Sequence, residues 1–321
     1  MKRCPECGLF SDDDASFCPR CGRMLPELPD PEYVPYQPAY QPVRRNRGPT
    51  VGAVVGVIIV AAILLGAGIM YLDRNSGGDF ADKTVTYRWS LVDGYTTYDF
   101  EMKVEFSADE MKKADSSRID RWGSSTNSSN HSKGLYAVSE YVVVSDSIKA
   151  IAESLWENYN SKVPAGDQST ASFADYILTY VQVAVDYEYD STAFGQDEYW
   201  QYPIETLYRG YGDCEDTSIL AAAIYSHLST VTGAKDFISD SAVLLLPGHA
   251  MVGVKTGTPL AYSASKPMFT MNIGTSKFYF GETTYDGSKS IYGPNSYVGY
   301  ISSDYYGSSI LGFTGTSSDY V

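Results

Sequence analysis

The apolar segment at residues 51–72, VGAVVGVIIVAAILLGAGIMYL, constrains the fold most, because it contains no charged residue and no proline. A helix rises about 1.5 Å per residue, so roughly 20 such residues cross the ~30 Å hydrocarbon core of a bilayer. A secretory signal peptide has a shorter apolar region near the N-terminus, and a helix of a soluble core usually keeps a polar face. The segment therefore predicts a single transmembrane helix.

The charges on either side of this segment predict its orientation. The arginines of RRNRG, residues 44–48, come directly before it, whereas only Asp73 and Arg74 follow at once. Basic residues next to a transmembrane helix are retained on the cytoplasmic side. We therefore expect a single-pass protein of the cell membrane that contacts the lipid bilayer. Its N-terminus is expected in the cytoplasm, and residues 73–321 are expected outside the cell.

Four of the five cysteines form two Cys-x-x-Cys pairs within CPECGLFSDDDASFCPRCG. These pairs consist of Cys4, Cys7, Cys18 and Cys21. Four thiolates at about 2.3 Å from one ion form a tetrahedral zinc site, and so small a knuckle depends on metal binding to fold. Two disulfides are the alternative, which a cytoplasmic location disfavours. The spacing predicts a ribbon with structural Zn²⁺, and we expect it to dock a cytoplasmic protein.

Composition changes divide the chain into five regions. A Pro-, Tyr- and Gln-rich stretch, ELPDPEYVPYQPAYQPV, favours polyproline II and predicts a semi-rigid linker before the basic cluster. The predicted regions are a zinc ribbon at 1–26, the linker and basic segment at 27–50, the transmembrane helix at 51–72, a β-rich region at 73–135 and a further domain at 136–321.

The acidic excess lies entirely in the predicted exterior region. Residues 1–72 carry equal numbers of acidic and basic side chains, so the formal net charge of −15 belongs to residues 73–321. This charge disfavours nucleic acid as a partner. Within the region, Asn127 and Asn130 each begin an Asn-x-Ser sequon, which is an acceptor for glycosylation outside the cell.

Hydrophobic patterns predict both strands and helices in the exterior region. Alternating aromatic and β-branched residues around Asp93 predict a hairpin at 83–106. Apolar residues at helical spacing predict helices at 145–159 and 173–187, and a short helix at 203–210. The expected fold class is therefore α+β.

Cys214 is the only cysteine after residue 21, so it has no disulfide partner on the predicted exterior side. The sequence GDCEDTSILAAAIYSHL predicts a helix that begins at Cys214, with Asp213 and Asp216 in a capping-box-like arrangement. The helix dipole favours a thiolate at this position, whereas the neighbouring carboxylates, including Glu215, disfavour it. Cys214 is thus either a nucleophile that needs a cationic partner or an inert buried thiol.

Two later strands supply residues that complement the thiol. In SAVLLLPGHAMVGV, His249 follows a Pro-Gly turn and begins a strand, where its ring is available as a general base. In SKFYFGETTYDG, Glu282 shares the parity of Phe278 and Phe280, and Asp286 lies beyond the expected strand end. We take Glu282 as the group that orients the imidazole and Asp286 as the alternative. Both histidine and carboxylates also occur widely in purely structural roles.

The segments YPIETLYRGYGDCEDTSILAAAI, PGHAMVGV and FYFGETT together resemble the cysteine, histidine and acidic blocks of the transglutaminase-like superfamily. YILTYVQVAVDYEYD is similar to the helix that precedes the cysteine in microbial members, so the resemblance covers roughly residues 136–300. It implies a papain-like α+β core, in which the cysteine helix packs on an antiparallel sheet. It also implies a catalytic triad of Cys214, His249 and Glu282.

Two features differ from the usual pattern of that superfamily. Aspartate is usual where this chain has Glu282, and residues 257–275 are an additional stretch between the histidine and acidic blocks. The resemblance further implies an oxyanion hole formed by the Cys214 backbone N–H and one side chain, for which Gln182 and Trp200 are the candidates. No cofactor is expected for catalysis.

Three functions are compatible with the sequence. The leading hypothesis is a membrane-anchored extracellular thiol enzyme acting on amide bonds through a thioester, as a peptidase, an amidase or a protein-crosslinking acyltransferase. Its substrate would be a protein or a peptide-containing surface polymer. The alternative is a catalytically inactive surface module for binding. A signalling receptor is compatible with either, and the spacing of Gly52 and Gly56 would support helix pairing.

Overall fold

The computed structural model describes the backbone of two short N-terminal strands and most of the chain from residue 80 onward. The described ranges are 80–93, 96–117, 138–196, 198–262, 266–284, 297–301 and 305–320. The four predicted zinc ligands, the linker, residues 51–72, both sequons and Asp286 lie outside them, and those predictions stay predictions. Among the described residues, no helix is both long and apolar enough to cross a bilayer.

The chain divides into two compact units, Met1–Ala61 and Ala62–Val321. In the first unit, strand β1 (Lys2–Arg3) pairs antiparallel with strand β2 (Phe10–Ser11). The second unit contains both helices and strands, so the α+β class predicted from the sequence is confirmed.

Helices and strands of the second unit follow one another in mixed order. The helices are α1 (Ala108–Asp115), α2 (Val138–Tyr141), α3 (Asp146–Lys162), α4 (Thr170–Ala184), α5 (Asp190–Ala193), α6 (Pro203–Arg209) and α7 (Cys214–Leu228). The strands are β3 (Lys83–Asp93), β4 (Thr96–Phe106), β5 (Asp186–Tyr187), β6 (Tyr211–Gly212), β7 (Ile238–Leu246), β8 (His249–Thr256), β9 (Thr270–Ile273), β10 (Ser276–Gly281) and β11 (Leu311–Phe313).

A five-stranded antiparallel sheet is the main β element, with strand order β11-β7-β8-β10-β9. Helix α7 packs on β7 and β8, and α3, α4 and α6 pack around α7. Consecutive residues Ile219–Tyr225 of α7 are all buried, so this helix lies inside the core rather than on its surface. The opposite face of the sheet is also covered, because Leu244, Met251 and Phe278 belong to a second cluster of buried apolar side chains.

The hairpin of β3 and β4 belongs to the same core as the helices. Along β3, Tyr87, Trp89 and Leu91 alternate with more exposed residues and are buried. The Trp89 ring lies 5.2 Å from the ring centroid of Tyr180 and 5.5 Å from that of Tyr176, both on α4. The hairpin predicted at 83–106 is therefore confirmed, and it packs against α4.

The predicted helices are present with shifted ends. Ser145 caps α3 and accepts a hydrogen bond from the Ile148 backbone N–H. Helix α4 begins three residues before its predicted start and ends before its predicted end. Helix α6 ends at Gly210, which adopts the left-handed conformation with φ of 76°. Strand β9 was not predicted: it lies in the additional stretch 257–275 and pairs with β10.

Candidate active site

The three predicted site residues lie at the ends of three different elements. Cys214 is the first residue of α7, His249 is the first residue of β8, and Glu282 directly follows β10. Strands β8 and β10 are antiparallel neighbours, and their pairing stops at Gly281 opposite Val252. The start of β8 and the end of β10 therefore lie at the same end of the sheet. The start of α7, the helix that packs on the sheet, lies next to them.

His249 is positioned by the tight turn that joins β7 and β8. Leu246 pairs with His249, so Pro247 and Gly248 alone form the turn. Proline fixes the backbone φ of the first turn residue, and Gly248 adopts a φ of 67°, which residues with a Cβ adopt at a cost. The His249 ring also stacks on Tyr305, at a centroid distance of 5.3 Å and an interplanar angle of 15°.

Glu282 holds the His249 ring in one orientation. His249 Nε2 lies 2.8 Å from Glu282 Oε2, and each side chain is 11% exposed. The other carboxylate oxygen, Oε1, accepts hydrogen bonds from the Thr284 backbone N–H at 2.9 Å and from Thr284 Oγ1 at 2.6 Å. Both oxygens of Glu282 are thus engaged, which fixes the carboxylate beside the imidazole.

Cys214 lies close enough to the same ring to influence its pKa. Burial of the ring disfavours the imidazolium, but the charge of Glu282 and the hydrogen bonds with Cys214 and Glu282 outweigh it and raise the pKa of His249 to about 10. The ring is therefore charged at neutral pH and supplies the cation that a thiolate at this helix start needs.

Hydroxyl groups connect the start of α7 to the end of β10. Thr283 Oγ1 lies 2.9 Å from Thr217 Oγ1 and 3.1 Å from Ser218 Oγ, and all three residues are buried. Thr217 Oγ1 also donates to the backbone carbonyl of Asp213 at 2.8 Å. These residues were not predicted from the sequence, although the pairs Thr217-Ser218 and Thr283-Thr284 directly follow the acidic residues of their motifs.

Carboxylates surround Cys214 on the helix side. Cys214 Sγ donates to Glu215 Oε2 at 3.1 Å. Asp213 occupies the N-cap position of α7, but its side chain accepts no capping hydrogen bond, so the predicted capping by Asp213 is wrong. Burial raises the pKa values of Asp213 and Glu215 well above their usual range, and repulsion from neighbouring charges adds to this effect.

The two candidate oxyanion donors contact other groups. Gln182 Nε2 donates to the backbone carbonyl of Glu282 at 2.7 Å, which helps to anchor the chain after β10. The indole N–H of buried Trp200 points to Glu198 Oε2 at 3.4 Å. Both side chains therefore use their N–H groups in holding the site together.

An exposed aromatic pair lies next to the thiol. Tyr187 and Tyr189 are 43% and 46% exposed, and their rings meet edge to face at 5.2 Å. Burial of the Tyr187 hydroxyl and the nearby charge of Cys214 raise the pKa of Tyr187. Strand β5, which contains Tyr187, pairs in parallel with β6 immediately before Cys214. The pair thus provides an apolar surface beside the sulfur.

The chain matches no protein-family model, and a comparison with curated proteins found no match. Membership of the transglutaminase-like superfamily therefore stays a hypothesis. Function is inferred from the chemistry that Cys214, His249 and Glu282 can perform together.

Proposed function

We propose that the chain is a thiol enzyme of the transglutaminase-like superfamily that acts on amide bonds through Cys214, His249 and Glu282. One observation carries the proposal: His249 Nε2 lies 2.8 Å from Glu282 Oε2, and Cys214 is the other neighbour that raises the pKa of the same ring. A nucleophile, a base and an orienting carboxylate in this order are the components of a catalytic triad. The proposed core is papain-like, with α7 as the cysteine helix.

In the proposed reaction, the Cys214 thiolate attacks the carbonyl carbon of an amide. The electron pair of the C=O bond moves to oxygen, and the Cys214 backbone N–H donates a hydrogen bond to this oxyanion. His249 gives its proton to the departing amine as the C–N bond breaks, which leaves a thioester on Cys214. Glu282 keeps the ring aligned and stabilises its positive charge.

The thioester is then transferred to a second nucleophile. Water or a primary amine attacks the thioester carbonyl while neutral His249 accepts its proton, and the Cys214 thiolate departs. Transfer to water gives hydrolysis, and transfer to a lysine of another chain gives a crosslink. The exposed rings of Tyr187 and Tyr189 would contact an apolar part of a protein or peptide-containing substrate.

The proposed location follows from the sequence alone. The proposal places residues 73–321 outside the cell, anchored by residues 51–72, with the zinc ribbon of Cys4, Cys7, Cys18 and Cys21 in the cytoplasm. An exterior location suits a substrate that is a surface protein or polymer. The ribbon would then be the cytoplasmic docking site of the same molecule.

The experiment that tests the proposal measures the reactivity of Cys214. The full chain in detergent is treated with iodoacetamide at pH 7, and modification of the Cys214 peptide is followed by mass spectrometry. We expect His249→Ala to slow modification about tenfold or more, because the thiolate loses its neighbouring positive charge. His227→Ala is the matched control, since His227 pairs with Glu153 and not with Cys214.

Equal rates for the wild type and His249→Ala would contradict the proposal. That result would favour the alternative function, an inactive surface module that keeps Cys214 as an ordinary thiol. The carboxylates of Asp213 and Glu215 are the observation behind this alternative, because both are buried and both disfavour a thiolate beside them.

A further inference from the structure

We propose that a divalent cation with the chemistry of Ca²⁺ binds beside the start of α7, held by Asp190, Asp213 and Asp216, with Glu198 and Glu215 as additional ligands. The site joins α5, which begins at Asp190, to the first turn of α7. It does not depend on whether Cys214 is a nucleophile.

The spacing of the carboxylates fits one ion. Asp190, Asp213 and Asp216 can each offer an oxygen such that the three oxygens lie within 4.8 Å of one another. Asp190, Glu198 and Glu215 form a second such group, and Asp190 belongs to both. Oxygens bound to one Ca²⁺ at about 2.4 Å lie at most about 5 Å apart, so each group has the spacing of a coordination shell.

Two buried oxygen atoms of this cluster have no protein partner. Asp190 is 2% exposed and Asp213 is 8% exposed, yet Oδ1 of each lacks a hydrogen-bond partner within the described part of the chain. Buried polar atoms are almost always paired, and a buried carboxylate oxygen without a donor is costly. Because both oxygens belong to the same group of three carboxylates, one cation would satisfy both.

Hydrogen bonds hold the remaining ligand of this group in place. Asp216 is fully buried and accepts from the Gln201 backbone N–H and from Gln201 Nε2, both at 2.6 Å. The second oxygen of Asp190 accepts from the Tyr199 backbone N–H. The carboxylates are thus oriented by neutral donors, which is how the ligands of a metal site are usually fixed.

The Asp213 side chain does not cap its own helix. An aspartate at an N-cap normally accepts a hydrogen bond from the second or third residue of the helix. Here the Asp213 side chain makes no such bond. Its carboxylate belongs instead to the group formed with Asp190 and Asp216.

Within the described part of the chain, no cation forms an ion pair with any of the five carboxylates. Arg209 pairs with Glu205 at 3.7 Å and with Asp115 at 3.9 Å, and not with the cluster. Buried carboxylates in such number require either protonation or a bound cation. A cation is the partner that also accounts for the two unpaired oxygens.

The ligand set selects Ca²⁺ among the common divalent ions. The five side chains offer only oxygen, the donor that hard cations prefer, and Ca²⁺ accepts six to eight oxygens in flexible geometry. Mg²⁺ demands a near-ideal octahedron and keeps several waters. Zn²⁺ would instead recruit the Cys214 sulfur, which forms another group with Asp213 and Glu215.

The test is Ca²⁺ binding to the full chain in detergent, after dialysis against metal-free buffer that leaves the thiolate-bound zinc in place. We expect one Ca²⁺ to bind per chain in ⁴⁵Ca²⁺ equilibrium dialysis, with affinity reduced at least tenfold by Asp190→Asn. Asp175→Asn is the matched control, because Asp175 is a half-buried, hydrogen-bonded aspartate outside the cluster. It should bind Ca²⁺ as the wild type does.

Thermal unfolding distinguishes loss of the site from loss of the fold. We expect 1 mM Ca²⁺ to raise the Tm of the wild type and of Asp175→Asn by several degrees, and to leave that of Asp190→Asn unchanged. Without Ca²⁺, Asp190→Asn should unfold at or above the wild-type Tm, because it removes a buried charge. Absence of Ca²⁺ binding to the wild type up to 10 mM, equal binding by Asp190→Asn, or binding of Zn²⁺ alone would overturn the proposal.

Discussion

At the scale of single residues, the site depends on how one carboxylate is held. Glu282 uses Oε2 for His249 and Oε1 for Thr284, so its longer side chain is as constrained as a shorter aspartate would be. Its charge is also the largest influence that raises the pKa of His249 to about 10, against the effect of burial. Orientation and charge of the imidazole therefore have one source.

Substituting Glu282→Gln should separate these two effects. Glutamine keeps the size of the side chain but removes its charge, so we expect the pKa of His249 to fall well below about 10, because only burial and weaker hydrogen bonds remain. Histidine ring NMR signals followed against pH measure this change. Cys214 modification by iodoacetamide at pH 7 should slow by about tenfold.

The matched control for that substitution is Glu153→Gln, which removes the carboxylate partner of another histidine, His227. It should leave the His249 titration and the Cys214 reactivity unchanged. An unaltered His249 titration in Glu282→Gln would show that the carboxylate charge does not govern the imidazole.

At the scale of elements, two hairpin turns of the same sheet differ in whether they precede a site residue. Gly248 closes the turn that presents His249 at the start of β8, with a φ of 67°. Gly274 closes the turn between β9 and β10, with a φ of 59°. A Cβ placed at either position meets no atom within 4 Å, so the effect of substitution comes from the backbone alone.

Replacing either glycine by alanine should therefore destabilise the fold by a similar amount, about 1–2 kcal/mol, because a left-handed backbone is strained by a Cβ. Chemical denaturation measures this loss. Only Gly248→Ala should also slow Cys214 modification, since relaxation of this turn displaces His249. Equal effects of Gly248→Ala and Gly274→Ala on Cys214 modification would mean that the β7–β8 turn does not position the ring.

At the scale of the whole molecule, half-buried polar groups connect parts of the second unit that are distant in sequence. Asp175 Oδ1 on α4 accepts from the Val298 backbone N–H at 2.7 Å and from Tyr262 Oη at 2.8 Å. Burial raises the pKa of Asp175 to about 7. The carboxyl group therefore couples the stability of the unit to pH.

The sign of this coupling follows from proton uptake. The folded state keeps the Asp175 proton up to about pH 7, whereas the unfolded state loses it near pH 4, so the folded state binds more protons between these values. The contribution of Asp175 is thus fully present below about pH 4 and is lost as the pH rises through about 7.

Between pH 5 and pH 8, we expect the free energy of unfolding of the wild type to fall by about 2 kcal/mol more than that of Asp175→Asn. Urea denaturation at the two pH values measures both changes, and groups common to both proteins cancel in the comparison. Tyr262→Phe keeps the titrating carboxyl and removes a hydrogen bond that lowers its pKa, so a pH dependence of the same sign as in the wild type is expected. A pH dependence identical in Asp175→Asn and the wild type would exclude Asp175 as its source.

The sequence by itself determined the local elements of this protein. Alternation of apolar residues along β3, helical spacing in α3 and the glycine after α6 all act within a few residues, so the hairpin and helices could be predicted. Motifs and a family resemblance point to Cys214, His249 and Glu282, each at the end of a predicted element. The additional stretch 257–275 carried no clear pattern, and β9 was missed there.

Only the tertiary structure decided which groups surround the carboxylates near Cys214. Their sequence spacing suggested a capping box, but packing of α5 brings Asp190 to the start of α7 and buries it with Asp213 and Asp216. Likewise, the register of β8 and β10 and the Thr283 hydroxyl bring His249, Glu282 and α7 together. Desolvation and charge repulsion depend on all neighbours in space, which no local sequence pattern records.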